Sequence, residues 1–244
     1  MISRVFVLSL SLSIFFSFQV SVANTSGSFR NLDQSFLSET PRKSWEQWPD
    51  HLLAGDIILV PLRCWSCYYI EDETGYPFSH SALVLDVYEV DGVKKALLAE
   101  ALIGVRSIEL SKWVSMLRED APWVVVRPDF IPGYFSDHAQ RGHYLRNKFD
   151  QHYRGLSFDS QFLWDTYDEK GETLYCSEFI YKILYDYLDN PLHTFNMDFT
   201  RNWDFWFDYY KGDVPQGAIG FSPGDFLRFD GMSVVFWYWP HSQN

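Results

Sequence analysis

Apolar and polar positions alternate along this chain in a way that separates short strands from two longer helical stretches. Residues 56–60, Asp-Ile-Ile-Leu-Val, follow Ala54-Gly55 and stop at Pro61, which reads as a strand. Residues 81–88 form a second apolar run, and Asp91-Gly92 after it is a hairpin signal. Residues 95–100 then return as a third strand, and 123–127, Trp-Val-Val-Val-Arg, supply a fourth. From about residue 136 to 153 the pattern becomes helical with a polar face. A second helix is marked by Cys176, Phe179, Ile180, Ile183, Leu184 and Tyr187, an apolar stripe of helical period. The densest aromatic run, from Asn202 to Tyr210, fits neither period cleanly. It is expected to be a core-covering extension, with a ligand-stacking wall as the sharper alternative.

The N-terminus bears on compartment. One basic residue, Arg4, precedes an apolar run from Val5 to Val20, and Ser21-Val22-Ala23 places small residues where a signal peptidase reads. Residues 1–23 are therefore expected to be a secretory signal cut after Ala23. The run is interrupted by serines and falls short of the ~20 apolar residues of a spanning helix, which weighs against a retained anchor. No cysteine follows Ala23, which speaks against a lipoprotein. The protein is then exported, periplasmic or extracellular, with an expected association with the cell envelope. Residues 24–50 are a polar leader, either wrapped onto the domain or a disordered arm. Residues 51–244 read as a single domain whose 191–244 portion is an aromatic-rich extension. Losing Arg4 moves the formal charge from −12 to −13. So acidic a chain, with no basic stripe, is not expected to bind nucleic acid. Aromatic residues make up 19% of the chain, for which a well-filled core is the commoner cause and a sugar- or lipid-contacting surface the alternative; composition alone does not separate them.

Cysteine usage adds chemistry. In an oxidising compartment Cys64-Trp65-Ser66-Cys67 is expected to close a small structural disulfide. A thioredoxin-type redox pair would open a helix after a strand, whereas the residues after Cys67 read as a long loop. A metal site would need two further ligands at suitable spacing, and none is seen. Pairing of Cys64 with Cys67 leaves Cys176 over, in the first turn of its helix, where free N–H groups and the dipole lower a thiol's pKa. The plainer reading is that Cys176 is the first core residue of an amphipathic helix. A nucleophile needs a base and a group to orient that base. His80, at the mouth of the second strand, and Glu100, on the returning strand, are the candidates. A two-residue turn at Asp91-Gly92 puts them on opposite faces of the sheet; a three-residue turn puts them on one face, with curvature or a bulge still needed for contact.

Five segments in order carry a family resemblance: Gly55-Asp56-Ile57-Ile58, Phe78-Ser79-His80-Ser81, Ala99-Glu100-Ala101, Gly104-Val105 and Tyr175-Cys176-Ser177-Glu178-Phe179. Together they resemble the YiiX/YebB-like, circularly permuted NlpC/P60 proteins, in which the histidine strand precedes the cysteine helix. Gly155-Leu156-Ser157-Phe158-Asp159 is similar to a Gly-x-x-aromatic-Asp piece of that family, and Phe221-Ser222-Pro223-Gly224-Asp225 is a fainter echo. The resemblance implies an α+β, papain-like fold, with an antiparallel sheet or partial barrel packed against the cysteine-bearing helix. It implies a Cys176–His80–Glu100 constellation acting by acyl transfer on an amide or ester of a peptide or lipid, without metal or organic cofactor. The loop from Pro61 to Phe78 and the 191–244 extension depart from compact relatives, and either could shape a substrate groove. Two other classes compete. A catalytically silent module of the same fold would bind a peptide or lipid, and a disulfide oxidoreductase would cycle Cys64 and Cys67.

Overall fold

A computed structural model describes residues 44–117, 121–129, 135, 137–185 and 194–238. The expected signal segment, leader residues 24–43, and Tyr187 of the helical stripe lie outside these residues. In chain order the first half holds β1 (Ile57–Val60), α1 (Cys67–Thr74), β2 (His80–Val90), β3 (Val93–Ala101), β4 (Val105–Glu109), α2 (Leu110–Val114) and β5 (Trp123–Pro128). The second half holds α3 (His138–His152), β6 (Thr166–Asp168), β7 (Gly171–Thr173), α4 (Cys176–Leu184), β8 (Phe195–Asn196), α5 (Trp203–Tyr209), β9 (Ile219–Gly220) and β10 (Met232–Tyr238).

Six strands pair in the order β10-β5-β1-β2-β3-β4, every neighbour antiparallel. β10 and β4 are the edges, so the ladder among the described residues is an open sheet rather than a closed barrel. β1 is apolar at all four positions because it is buried on both faces. Ile57 and Leu59 meet Phe149 of α3 and Phe179, Ile180 and Ile183 of α4 in one core cluster. Ile58 and Val60 join Trp48, Ala82, Leu98 and Trp113 in the cluster on the other face. Burial of each large apolar side chain contributes about 1.5–3 kcal/mol, and α4 presents four in a row of helical spacing to the sheet.

The end of the leader is part of this core. Residues 45–50 form a 3-10 turn, and Trp48 is fully buried with its ring edge-on to Trp123, centroids 3.9 Å apart. Asp56, after Gly55, is also structural: both its oxygens are held by Arg127, at 2.7 and 2.8 Å, and Oδ2 accepts the Leu53 N–H. The aromatic run that fitted no clean period contains α5, whose Trp206 is buried with Phe199 and Tyr210 in a third cluster. Among the described residues no helix is long and apolar enough to cross a membrane.

Candidate active site

The β2–β3 hairpin decides whether His80 and Glu100 can meet. Its turn has two residues, Asp91 and Gly92, both with positive φ, as a tight hairpin turn requires. Near the turn Val90 opposes Val93, the register that would leave His80 and Glu100 on opposite faces. The register then shifts between Val84 and Asp86: Asp86 opposes Leu97 but Val84 opposes Leu98, so Leu85 is an extra residue. This bulge reverses the parity for everything beyond it. Continuing the shifted register puts Glu100 across from Ala82, two residues from His80 on the same face. His80 Nε2 and Glu100 Oε2 lie 2.7 Å apart.

Glu100 is fully buried and both its oxygens are satisfied. Oε2 also accepts the Trp113 indole N–H at 2.8 Å. Oε1 accepts Arg106 Nε at 2.9 Å and Nη2 at 2.6 Å, Arg106 being directly opposite on β4. Burial alone would raise the Glu100 pKa, but His80, Arg106 and Trp113 outweigh it and bring it to about 2. The carboxylate thus stays ionised and fixes His80 through Nε2, which leaves Nδ1 for the thiol. This tautomer is assigned from the hydrogen-bond network.

Cys176 is the first residue of α4 and hydrogen-bonds to His80. Tyr175, at the N-cap, offers no side-chain acceptor to the N–H groups of the first turn. Burial raises the thiol's pKa; the His80 hydrogen bond and charge, with the backbone of Ser81, more than offset this, and the net direction is down. Burial likewise lowers His80, and the bonds and charges of Cys176 and Glu100 reverse it, lifting the imidazole to about 9. Each member of the pair stabilises the charged form of the other. The structure therefore brings together all three residues singled out from the sequence.

A cavity of about 250 Å³ opens beside the thiol. Its lining includes Tyr175, Cys176 and Ser177 together with Phe162, Phe195, Met197, Phe199 and Phe221. The extension is bonded to the residues on either side of the nucleophile. Ser177 Oγ donates to the Phe221 carbonyl, and the Tyr175 hydroxyl accepts the Phe221 N–H at 3.1 Å. Ser222 and Asp225 close a capping box there, which gives the Ser-Pro-Gly-Asp echo a structural role.

Cys64 and Cys67 form a disulfide with Cα atoms 5.0 Å apart. The residues after Cys67 are not the long loop expected; they form α1. The turn closed by the disulfide leads directly into it, Thr74 Oγ1 bonds back to the Ile70 carbonyl, and Gly75 ends it in a left-handed C-cap. α1 is a clamp. Its Glu71 accepts from Ser79, next to His80, and its Glu73 accepts the N–H of Asn202, the N-cap of α5, and the indole N–H of Trp206 within that helix. Reasoning from sequence missed Arg106 and Trp113. Arg106 follows Gly104-Val105 and becomes visible once the β3–β4 register is known; Trp113 has no sequence signal.

No known protein family and no curated protein matches the chain. Among solved structures it is similar to one described as the metalloprotein yiiX from Escherichia coli O157:H7, DUF1105, at 20% identity and a TM-score of 0.61. The likeness covers 78% of this chain and 99% of that one. The fold is YiiX-like, α+β with an antiparallel sheet.

Proposed function

We propose that the chain is an exported cysteine hydrolase of the circularly permuted, papain-like NlpC/P60 kind, cleaving an amide or ester of a peptide or lipid. The observation that carries this reading is the buried line Cys176–His80–Glu100, set at a helix N-terminus and opening onto a cavity. The histidine strand precedes the cysteine helix, the order of the permuted branch. The Cys176 thiolate attacks the carbonyl carbon, and the oxyanion is stabilised by N–H groups at the start of α4. His80 transfers the proton it holds to the leaving amine or alcohol. It then takes a proton from water, whose oxygen attacks the acyl carbon and frees the thiolate. Glu100 keeps its charge throughout and holds the ring.

The neighbour's description as a metalloprotein raises the question of a metal. Asp165, Glu172 and Glu178 bring carboxylate oxygens within 4.8 Å of one another. Lys182 Nζ already fills that space, 2.7 Å from both Asp165 Oδ1 and Glu178 Oε1 and bonded to Glu172. His80 Nε2 is taken up by Glu100, and the imidazole also bonds the Cys176 thiol. Neither set fits a metal ion.

A catalytically silent binding module is the second reading, favoured by the apolar wall of the cavity. It has no use for a lowered thiol pKa. Incubation with p-nitrophenyl esters separates the two: the hydrolase gives a burst of nitrophenol and an acyl mass adduct on Cys176, absent in Cys176→Ala. A thiol that alkylates readily yet never carries an acyl group would sink the hydrolase.

A further inference from the structure

Four non-glycine residues among those described have backbone in the left-handed region, and two of them, Phe162 (φ 54°) and Asp165 (φ 57°), lie in one short loop beside the nucleophile. A bulky residue adopts this conformation rarely, and such outliers persist where the surroundings over-determine them, often at ligand clamps. This loop is held from every side. Asp159 accepts the N–H groups of Gln161 and Leu163, the two neighbours of Phe162, at 2.8 and 2.7 Å. The Tyr209 and Tyr210 hydroxyls donate to the carbonyls of Ser160 and Gln161 at 2.6 and 2.9 Å. From the nucleophile helix, Glu178 accepts the Asp165 N–H at 3.2 Å, and Lys182 bonds the Asp165 carboxylate at 2.7 Å. The result is an aromatic ring fixed in the cavity wall, edge-on to Tyr175 at 6.0 Å and stacked on Tyr209 at 6.2 Å.

We infer that Phe162 is a specificity-determining residue that limits the size of the apolar group carried past Cys176, and that Lys182 is a positioning residue that holds it there by tying the loop to α4. The inference rests on the hydrolase reading for its biological meaning, while its geometry can be tested on the thiol itself. Two alkylating probes of different bulk, iodoacetamide and its N-benzyl derivative, are compared by the rate at which each labels Cys176, at pH 7 and at pH 9. Phe162→Ala should raise the benzyl-to-parent rate ratio about tenfold or more, about tenfold being the lower end of what a single methylene of fit is worth in an apolar pocket. Phe162→Leu, which keeps most of the volume, should stay near wild type. Lys182→Met should shift the ratio in the same direction by less, and Lys182→Arg should restore it. An unchanged ratio in Phe162→Ala overturns the specificity role, and an unchanged ratio in Lys182→Met overturns the positioning role. The pH 9 arm reports on Phe162 even if Cys176 reacts only as an ordinary thiol, an outcome that would count against the hydrolase alone.

Discussion

Glu100 and Glu178 are both fully buried carboxylates, each beside a base and each within reach of the nucleophile's surroundings, yet they sit in opposite electrostatic states. Glu100 has four donors over its two oxygens and is held at about 2. Glu178 takes Lys182 and one backbone N–H on Oε1, while Oε2 has no partner. Burial pushes it up, Lys182 pulls it down without winning, and nearby Glu172 adds repulsion, leaving it at about 7. Burial is the same for the two; the count of donors decides. Glu100 draws partners from β2, β4 and α2, whereas Glu178 has one backbone N–H from a loop and one lysine, which it shares with Asp165 and Glu172.

The largest expected effect tests the first half of that contrast. Glu100→Ala leaves Arg106 and the Trp113 indole facing an empty site and removes the anchor of His80. It should cost about 3–5 kcal/mol in chemical denaturation, the usual range for breaking a buried, hydrogen-bonded charge pair. A loss under 1 kcal/mol would mean the network is not formed in solution. Because Glu100 is depressed, its contribution is present above the unfolded value near 4.5 and is lost as pH falls through about 2.

Glu178→Gln is the smaller perturbation. The folded pKa is raised, so the native state holds an extra proton between about 4.5 and 7, and stability declines as pH rises across that window. The variant should lose that decline in melting temperature, with a stability change at pH 7 of about 1 kcal/mol or less, as for a hydrogen bond of ordinary strength. A wild-type stability that climbs from pH 5 to 7, and a variant that follows it, would show Glu178 to be an ordinary ionised partner of Lys182.

The same contrast explains what could be read from the sequence. Strands β1, β2, β3 and β5 and the core face of α4 were legible because apolar periodicity reports burial against a sheet. Cys176 and His80 were legible because a thiol at a helix start and a histidine at a strand mouth are local features. Whether Glu100 met His80 was not: the answer turns on one extra residue, Leu85, inside an unbroken apolar run, where a bulge leaves no compositional mark. α1 reads as a loop in the sequence because its ends are set by a disulfide and a glycine cap and no apolar stripe of helical period marks it. α5 was obscured because aromatic residues cover most of its circumference, with Trp206 turned inward and Trp203 and Phe207 exposed. The loop around Phe162 is held by side chains distant in sequence, and no local pattern announces it.

The proposed chemistry requires that Cys176 and His80 form a reactive ion pair. Alkylation of Cys176 by iodoacetamide, followed by mass spectrometry from pH 5 to 9 in wild type and in His80→Ala, tests it most directly. The wild type should be labelled well below the ~8.5 of a free thiol, with a shift to that value or above when His80 is removed. Labelling that follows an ordinary thiol curve in both proteins would contradict it.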